Sequence, residues 1–322
     1  MKITKLSDNF TPIHKGIYFG IETEESAPTN LEVEIIDSST SEIVATQQLR
    51  EVTSATINIA PYLSRFEEYE PMQDCCISIS DAPCARYKVR INSIESEEII
   101  VSVNSIEVGE GATMITSMPR NRRISHGESD EILIVTDCGE CVYAEITANT
   151  GTQLHLEHHT TTGVSRLLLA TKEFDSNVKT LDISLYCAGK IFGTLRYYVT
   201  PPIKTATRLA WLSESGSIEQ YSFPVSNKTT RKVEKQTIYT SKGVETVQCR
   251  TQEVLSLASR FEPSATIEAI SQIVSSTRVW RESNGQLERV EVLTHSIEQD
   301  LFGKPGSINI EICALNKEEK VW

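Results

Sequence analysis

Arg208-Leu-Ala-Trp-Leu-Ser-Glu-Ser-Gly-Ser-Ile-Glu-Gln-Tyr-Ser-Phe-Pro224 is the most legible stretch of the chain. It divides into an apolar run, a turn and a second apolar run. In an extended chain Leu209 and Trp211 face one way, and Ala210 and Leu212 face the other. Both faces are apolar, so the strand is expected to be covered on both sides. Ser213 to Gly216 supplies turn chemistry, with Gly216 free to take a positive φ. Ile218, Tyr221 and Phe223 build the returning strand, and Pro224, which has no N–H to donate, ends the pairing.

Downstream of this hairpin, Ser226 to Lys235 is polar, basic and rich in threonine, and Gln236 to Leu257 reads as a long hairpin turning at Ser241-Lys-Gly243. Pro263 to Val274 has helical spacing, with Ile267, Ile270, Ile273 and Val274 on one stripe. Ser264 or Thr266 is placed to cap that helix, and Glu268 falls in its first turn. Arg278 to Arg281 and Leu287 to Leu293 flank Ser283-Asn-Gly285, a strong hairpin signal. Ile308 to Ile312 alternates cleanly and closes the sheet. Residues 203–322 therefore read as an α+β domain with a long hairpin and one main helix.

Upstream, Thr200-Pro-Pro-Ile203 stiffens the chain and marks a boundary. Short alternating runs with turns between them recur through 1–107, among them Leu31 to Ile36, Thr56 to Ala60 and Tyr87 to Ile91; Tyr62 to Glu70 is the one short helical turn expected there. Similar runs recur through 108–202, including Glu131 to Val135, Cys141 to Thr147, Gln153 to Glu157 and Thr180 to Leu185, with a hairpin turn at Asn149-Thr-Gly-Thr152. That rhythm predicts antiparallel β-sandwiches. The expected fold is mainly β: two tandem immunoglobulin-like sandwiches, 1–107 and 108–202, followed by the α+β domain. The Cys-Trp-Cys arrangement of true immunoglobulin domains is absent, since all three tryptophans, Trp211, Trp280 and Trp322, come later.

Trp211-Leu-Ser213 with Gly216 and Tyr221-Ser-Phe223 resembles a Trp-Leu-Asn, Gly, Tyr-x-Phe hairpin of tail and other virion structural proteins from phages and prophages of gut Bacteroides-type bacteria. Ser213 stands where that pattern has Asn. Ala55 to Leu63 and Arg278 to Glu282 fit the same group. The resemblance implies a virion structural protein; it includes no catalytic motif and transfers no functional residue.

Forty-four acidic residues against 31 basic ones give a net charge of −13. Such a surface repels a phosphate backbone and anionic lipid, which argues against nucleic-acid and membrane partners. At 39% hydrophobic residues the chain has material for buried cores. The first residues hold no apolar run long enough for a secretion signal, so synthesis in a bacterial cytoplasm and residence in a virion are expected. The eight cysteines read as free thiols in that setting.

Catalytic motifs are missing: there is no Gly-x-Ser-x-Gly elbow, phosphate-binding glycine loop or His-Glu-x-x-His. Carboxylate clusters at Glu22 to Glu25, Glu67 to Glu70 and Glu95 to Glu98 read as solvated. Cys138, Cys141, His155 and His159 approach a zinc-ligand spacing. However, Gln153 to Glu157 alternates like a strand, where a finger needs a helix, so surface histidines beside reduced thiols are the expectation and no cofactor is assigned. Met118 to Arg123 is a basic run expected in a solvated loop. The expected function is a non-enzymatic tail or baseplate-region subunit that assembles with other virion proteins and with itself. Its candidate contact residues are Arg120, Arg122, Arg123, Tyr239 and Lys242. The alternative is a glycan- or surface-binding adhesin using an aromatic platform from Tyr197, Tyr198 or Trp280.

Overall fold

A computed structural model of the 322-residue chain describes residues 1–9, 11–23, 27–63, 70–72, 76–82, 84–102, 111–136, 139–161, 163–283, 285–297 and 304–315. The fold is mainly β, with antiparallel sandwiches in series and a final α+β unit.

In the first sandwich, Lys2–Lys5, Tyr18–Glu22 and Ser54–Asn58 form one sheet. The facing sheet runs Thr11–Pro12, Ile99–Ser102, Ala85–Ile91, Thr29–Asp37 and Ile43–Val52. Alternation drives the assembly: Leu31, Val33 and Ile35 point inward while Glu32 and Glu34 point out. The inward set meets Phe19, Ile21, Ile57, Val89 and Ile91 in one core.

The second sandwich repeats this plan. Thr113–Ile115, Ser129–Val135 and Val164–Ala170 form one sheet; Asn121–Ser125, Lys190–Thr200, Thr180–Cys187, Cys141–Ala148 and Gln153–His159 form the other. With the eight principal strands of each sandwich numbered in chain order, both have sheets 1-3-6 and 2-8-7-4-5, and in both the second strand runs parallel to the eighth. Read as A-B-E and C-F-G, strands 1-3-6 and 4-7-8 keep an immunoglobulin-like order, and strands 2 and 5 flank the second sheet.

One strand crosses between them. Ser78–Asp81, upstream of the seventh strand of the first sandwich, pairs antiparallel with Val164–Ala170 of the second and completes its four-stranded sheet. Ile77 and Ile79 pack against the second core. The crossing segment is fixed further by buried ionic groups: Met72 N donates to Glu131 Oε2, and Arg166 reaches Glu131 at 3.2 Å and the Glu70 carbonyl at 2.9 Å. Asp81 accepts from His158 at 2.8 Å and from Thr161.

The third block is a seven-stranded antiparallel sheet in the order Ile218–Phe223, Thr207–Leu212, Val279–Ser283, Gln286–Val292, Asn309–Ala314, Gly243–Ala258, Val225–Thr240. The opening hairpin forms as its residues require: Leu209 and Trp211 join one apolar cluster with Ile267, Ile270 and Ile273, while Ala210 and Leu212 join another with Ile218 and Trp280. Gly216 turns it at φ 89°. The helix spans Ser264–Ser271. Pro263, not Ser264 or Thr266, occupies its N-cap, no side chain caps it, and no acidic residue lies in its first turn. Pro263 sets the entry dihedral without needing a partner for a missing N–H.

Of the helical turn expected over Tyr62 to Glu70, residues 64–69 lie outside the described residues; Ala60–Tyr62 forms a 3₁₀ turn. Two further expectations change. The basic segment before the long hairpin is itself strand, so the hairpin begins at Val225. Met118 to Arg123 is no solvated loop: Met118 is buried and Asn121–Ser125 is a strand. No described helix is long and apolar enough to cross a membrane.

Candidate assembly surface

The long hairpin is the element that leaves the body of the fold. Gly243–Ala258 has a second neighbour, Asn309–Ala314, only over Val254 to Ala258. From Arg231↔Glu253 to Thr240↔Gly243, ten cross-strand pairs, the described strands form a ribbon of two. Ten residues of antiparallel strand span about 33 Å. Exposure on both faces explains the composition: threonine and lysine replace apolar alternation. Within Val225–Ala258 six basic residues, Lys228, Arg231, Lys232, Lys235, Lys242 and Arg250, stand against three acidic ones, while the chain as a whole carries −13. Apolar groups sit on the same arm: Val233, Ile238 and Val244 are exposed, and Tyr239 beside the turn is 88% exposed.

Of the five candidate contact residues, Tyr239 and Lys242 lie at the tip of this arm and are exposed. Arg120 is also exposed, and Arg123 is half-exposed with Glu262 at 3.7 Å. Arg122 is excluded. It is 5% exposed and buried at the joint between the second sandwich and the third block. Its guanidinium meets Asp130 at 3.1 Å, Glu219 at 3.7 Å and Thr116 Oγ1 at 3.1 Å, and lies over the Tyr197 ring at 5.4 Å. The strand alternation that exposes Arg123 turns Arg122 inward. Burial pushes the Glu219 carboxyl up, against the pull of Arg122, and pushes the Tyr197 hydroxyl up as well.

A second set of polar bonds crosses the same joint. Glu128 accepts from Arg208 at 3.1 Å and from Ser222 at 2.7 Å, and Arg208 also donates to the Ser129 carbonyl. Burial alone would raise the Glu128 carboxyl, but Arg208 and these hydrogen bonds hold it below its ordinary value. A cavity of about 190 Å³ opens here, lined in part by Glu128, Lys172, Arg208, Gln220 and Glu282. Ligand pockets typically hold about 300 Å³ or more. Two of its charged walls are already paired with each other.

The zinc-like constellation is only partly assembled. Cys138 lies outside the described residues. Cys141 pairs in register with His159 on the neighbouring strand, and Glu157 joins them: Cys141 Sγ lies 3.2 Å from Glu157 Oε1, and His159 Nε2 lies 3.8 Å from the same oxygen. His155 packs against the Tyr143 ring instead, at 5.3 Å between centroids. Sequence reasoning omitted Glu157, although its alternation with His159 was the available signal. Cys76, Cys84, Cys141 and Cys313 are free thiols.

The aromatic platform does not form as expected: Tyr197 and Trp280 are buried in cores, and Tyr198 alone of the three is exposed. Glu95 and Glu98 are engaged by Lys88 at 2.6 Å and Arg86 at 3.0 Å.

No protein-family model matches the sequence, and no curated protein does. Among solved structures, the Dpr2 Ig1-Ig2 chain crystallised with DIP-Theta Ig1-Ig3 is similar at 12% identity, covering 62% of this chain and 94% of that one, with a TM-score of 0.18. Trypsin-activated alpha-2-macroglobulin from Escherichia coli matches at 9% identity over 97% of this chain and 21% of that one, TM-score 0.22. Salmonella alpha-2-macroglobulin reacted with methylamine matches at 9% identity over 92% and 20%, TM-score 0.23. This chain thus spans about a fifth of either macroglobulin. Overlaps this slight carry no argument; the immunoglobulin-like description rests on the strand order above.

Proposed function

We propose that the protein is a non-enzymatic structural subunit that assembles with copies of itself, its basic arm docking on the acidic surface of the next copy. The observation that carries this reading is the two-stranded ribbon from Arg231 to Glu253. Among the described residues the arm has no third strand, and a two-stranded hairpin is marginally stable in water, so its ten pairs, with exposed Tyr239, Val244 and Ile238, suit a partner surface. Its basic excess matches an acidic partner, and the rest of this chain is one. Because arm and target are different surfaces, the contact is heterologous and propagates as a ring or a filament. The setting we propose, the tail or baseplate region of a phage or prophage virion, rests on the resemblance of the Trp211 to Phe223 hairpin. The adhesin reading is weaker, since two of its three platform residues are buried.

Light scattering tests the reading. The full chain is expected to gain mass with concentration at low salt and lose it at high salt. A Lys228→Glu/Arg231→Glu/Lys232→Glu/Lys235→Glu variant is expected to stay monomeric with its fold intact. A wild-type chain that remains monomeric at every concentration and salt overturns the reading.

A further inference from the structure

We propose that Cys141, Glu157 and His159 form a site for a zinc-class divalent transition cation on the outer face of the second sandwich. The backbone brings the three together. Cys141 and His159 are direct cross-strand partners, and Glu157, two residues from His159, projects from the same face. Their donor atoms all lie within 4.8 Å of one another. A tetrahedral ion with metal–sulfur bonds of about 2.3 Å and metal–nitrogen or metal–oxygen bonds of about 2.0–2.2 Å holds its donors about 3.3–3.8 Å apart. Two of the separations, 3.2 Å and 3.8 Å, are already close to that range. Strands, not loops, hold all three residues, which limits the reorganisation that binding requires.

The donor set selects the ion. A thiolate and an imidazole favour zinc-class metals over magnesium or calcium, which take oxygen donors. Glu157 and Cys141 supply two negative charges for a dication. The metal binds the thiolate, so the Cys141 proton must leave. The step balances as thiol plus M²⁺ giving thiolate-bound metal plus H⁺. Both Glu157 and His159 are exposed, so the fourth position faces solvent and the bound ion exchanges freely.

The test titrates the full-length chain with Co²⁺, read by its thiolate-to-metal charge-transfer absorption, and with Zn²⁺ by calorimetry. One saturable equivalent with a thiolate band is expected. Cys141→Ser should abolish the band, and His159→Ala and Glu157→Gln should each weaken binding by at least about tenfold, the scale on which even outer-shell changes act. His155→Ala should leave binding unchanged. All four residues are exposed or half-exposed on strands, so the variants keep their fold. No saturable uptake, or uptake indifferent to both Cys141→Ser and His159→Ala, overturns the proposal.

Discussion

The guanidinium of Arg122 serves two buried carboxylates at once, Asp130 and Glu219, on opposite sides of the joint between the second sandwich and the third block. Removing a buried partner leaves uncompensated charge, so Arg122→Ala should destabilise the chain by about 3–5 kcal/mol, measured by urea unfolding. A loss under about 1 kcal/mol, typical of an exposed pair, would contradict its place in the core. Glu128 gives the same joint a pH dependence. Its folded value lies below the ordinary 4.5, so its contribution is complete above that pH and is lost as pH falls through the depressed value. Asp81 follows the same sign: burial raises it, but hydrogen bonds from Thr161 and His158 outweigh that and hold it below 3.8. Glu128→Gln should flatten the acid limb of the stability curve between about pH 4.5 and the folded value, seen in thermal melts. An unchanged acid limb would show that the bond to Arg208 contributes nothing. None of this was legible in Met118 to Arg123, where a run of charges reads as surface. The burial of Arg122 depends on a parallel strand partner, Lys190–Thr200, some seventy residues away.

Hairpins were the legible elements, because a turn residue between two apolar runs fixes the pairing locally. Gly216 and Gly285 both take the positive φ that their turns need. The arm was read too short for the same reason: Lys228 to Lys235 is a polar, basic and threonine-rich run with no apolar alternation, so it carries no strand period to read. Hydrogen exchange follows from that construction. In the free chain, amides from Arg231 to Glu253 should exchange faster than those of Val254 to Leu257, which have a strand on each side. In the assembled state the arm amides should become protected. Equal protection of the two segments in the free chain would mean that the ribbon is stable alone and needs no partner.

At the scale of the whole molecule, two sandwiches share one strand order, and Ser78–Asp81 ties them together. The tandem architecture could be read from the spacing of strands and turns; the shared strand could not, since its partner, Val164–Ala170, lies far along the chain and its own four residues fit either sheet. Because that strand completes the second core, the two sandwiches should unfold in a single calorimetric transition, and two resolved transitions would refute the coupling. The proposed contact sets the arm of one copy on the acidic body of another. Carbodiimide cross-linking of an equal mixture of isotopically light and heavy chains tests it most directly. Lys232 to Glu311, 3.9 Å apart within one chain, provides the internal control. Mixed-isotope links from Lys232, Lys235 or Lys242 to carboxylates outside Val225–Ala258 are the predicted result. Arm lysines that link only within their own chain, at concentrations where the protein is oligomeric, would contradict it.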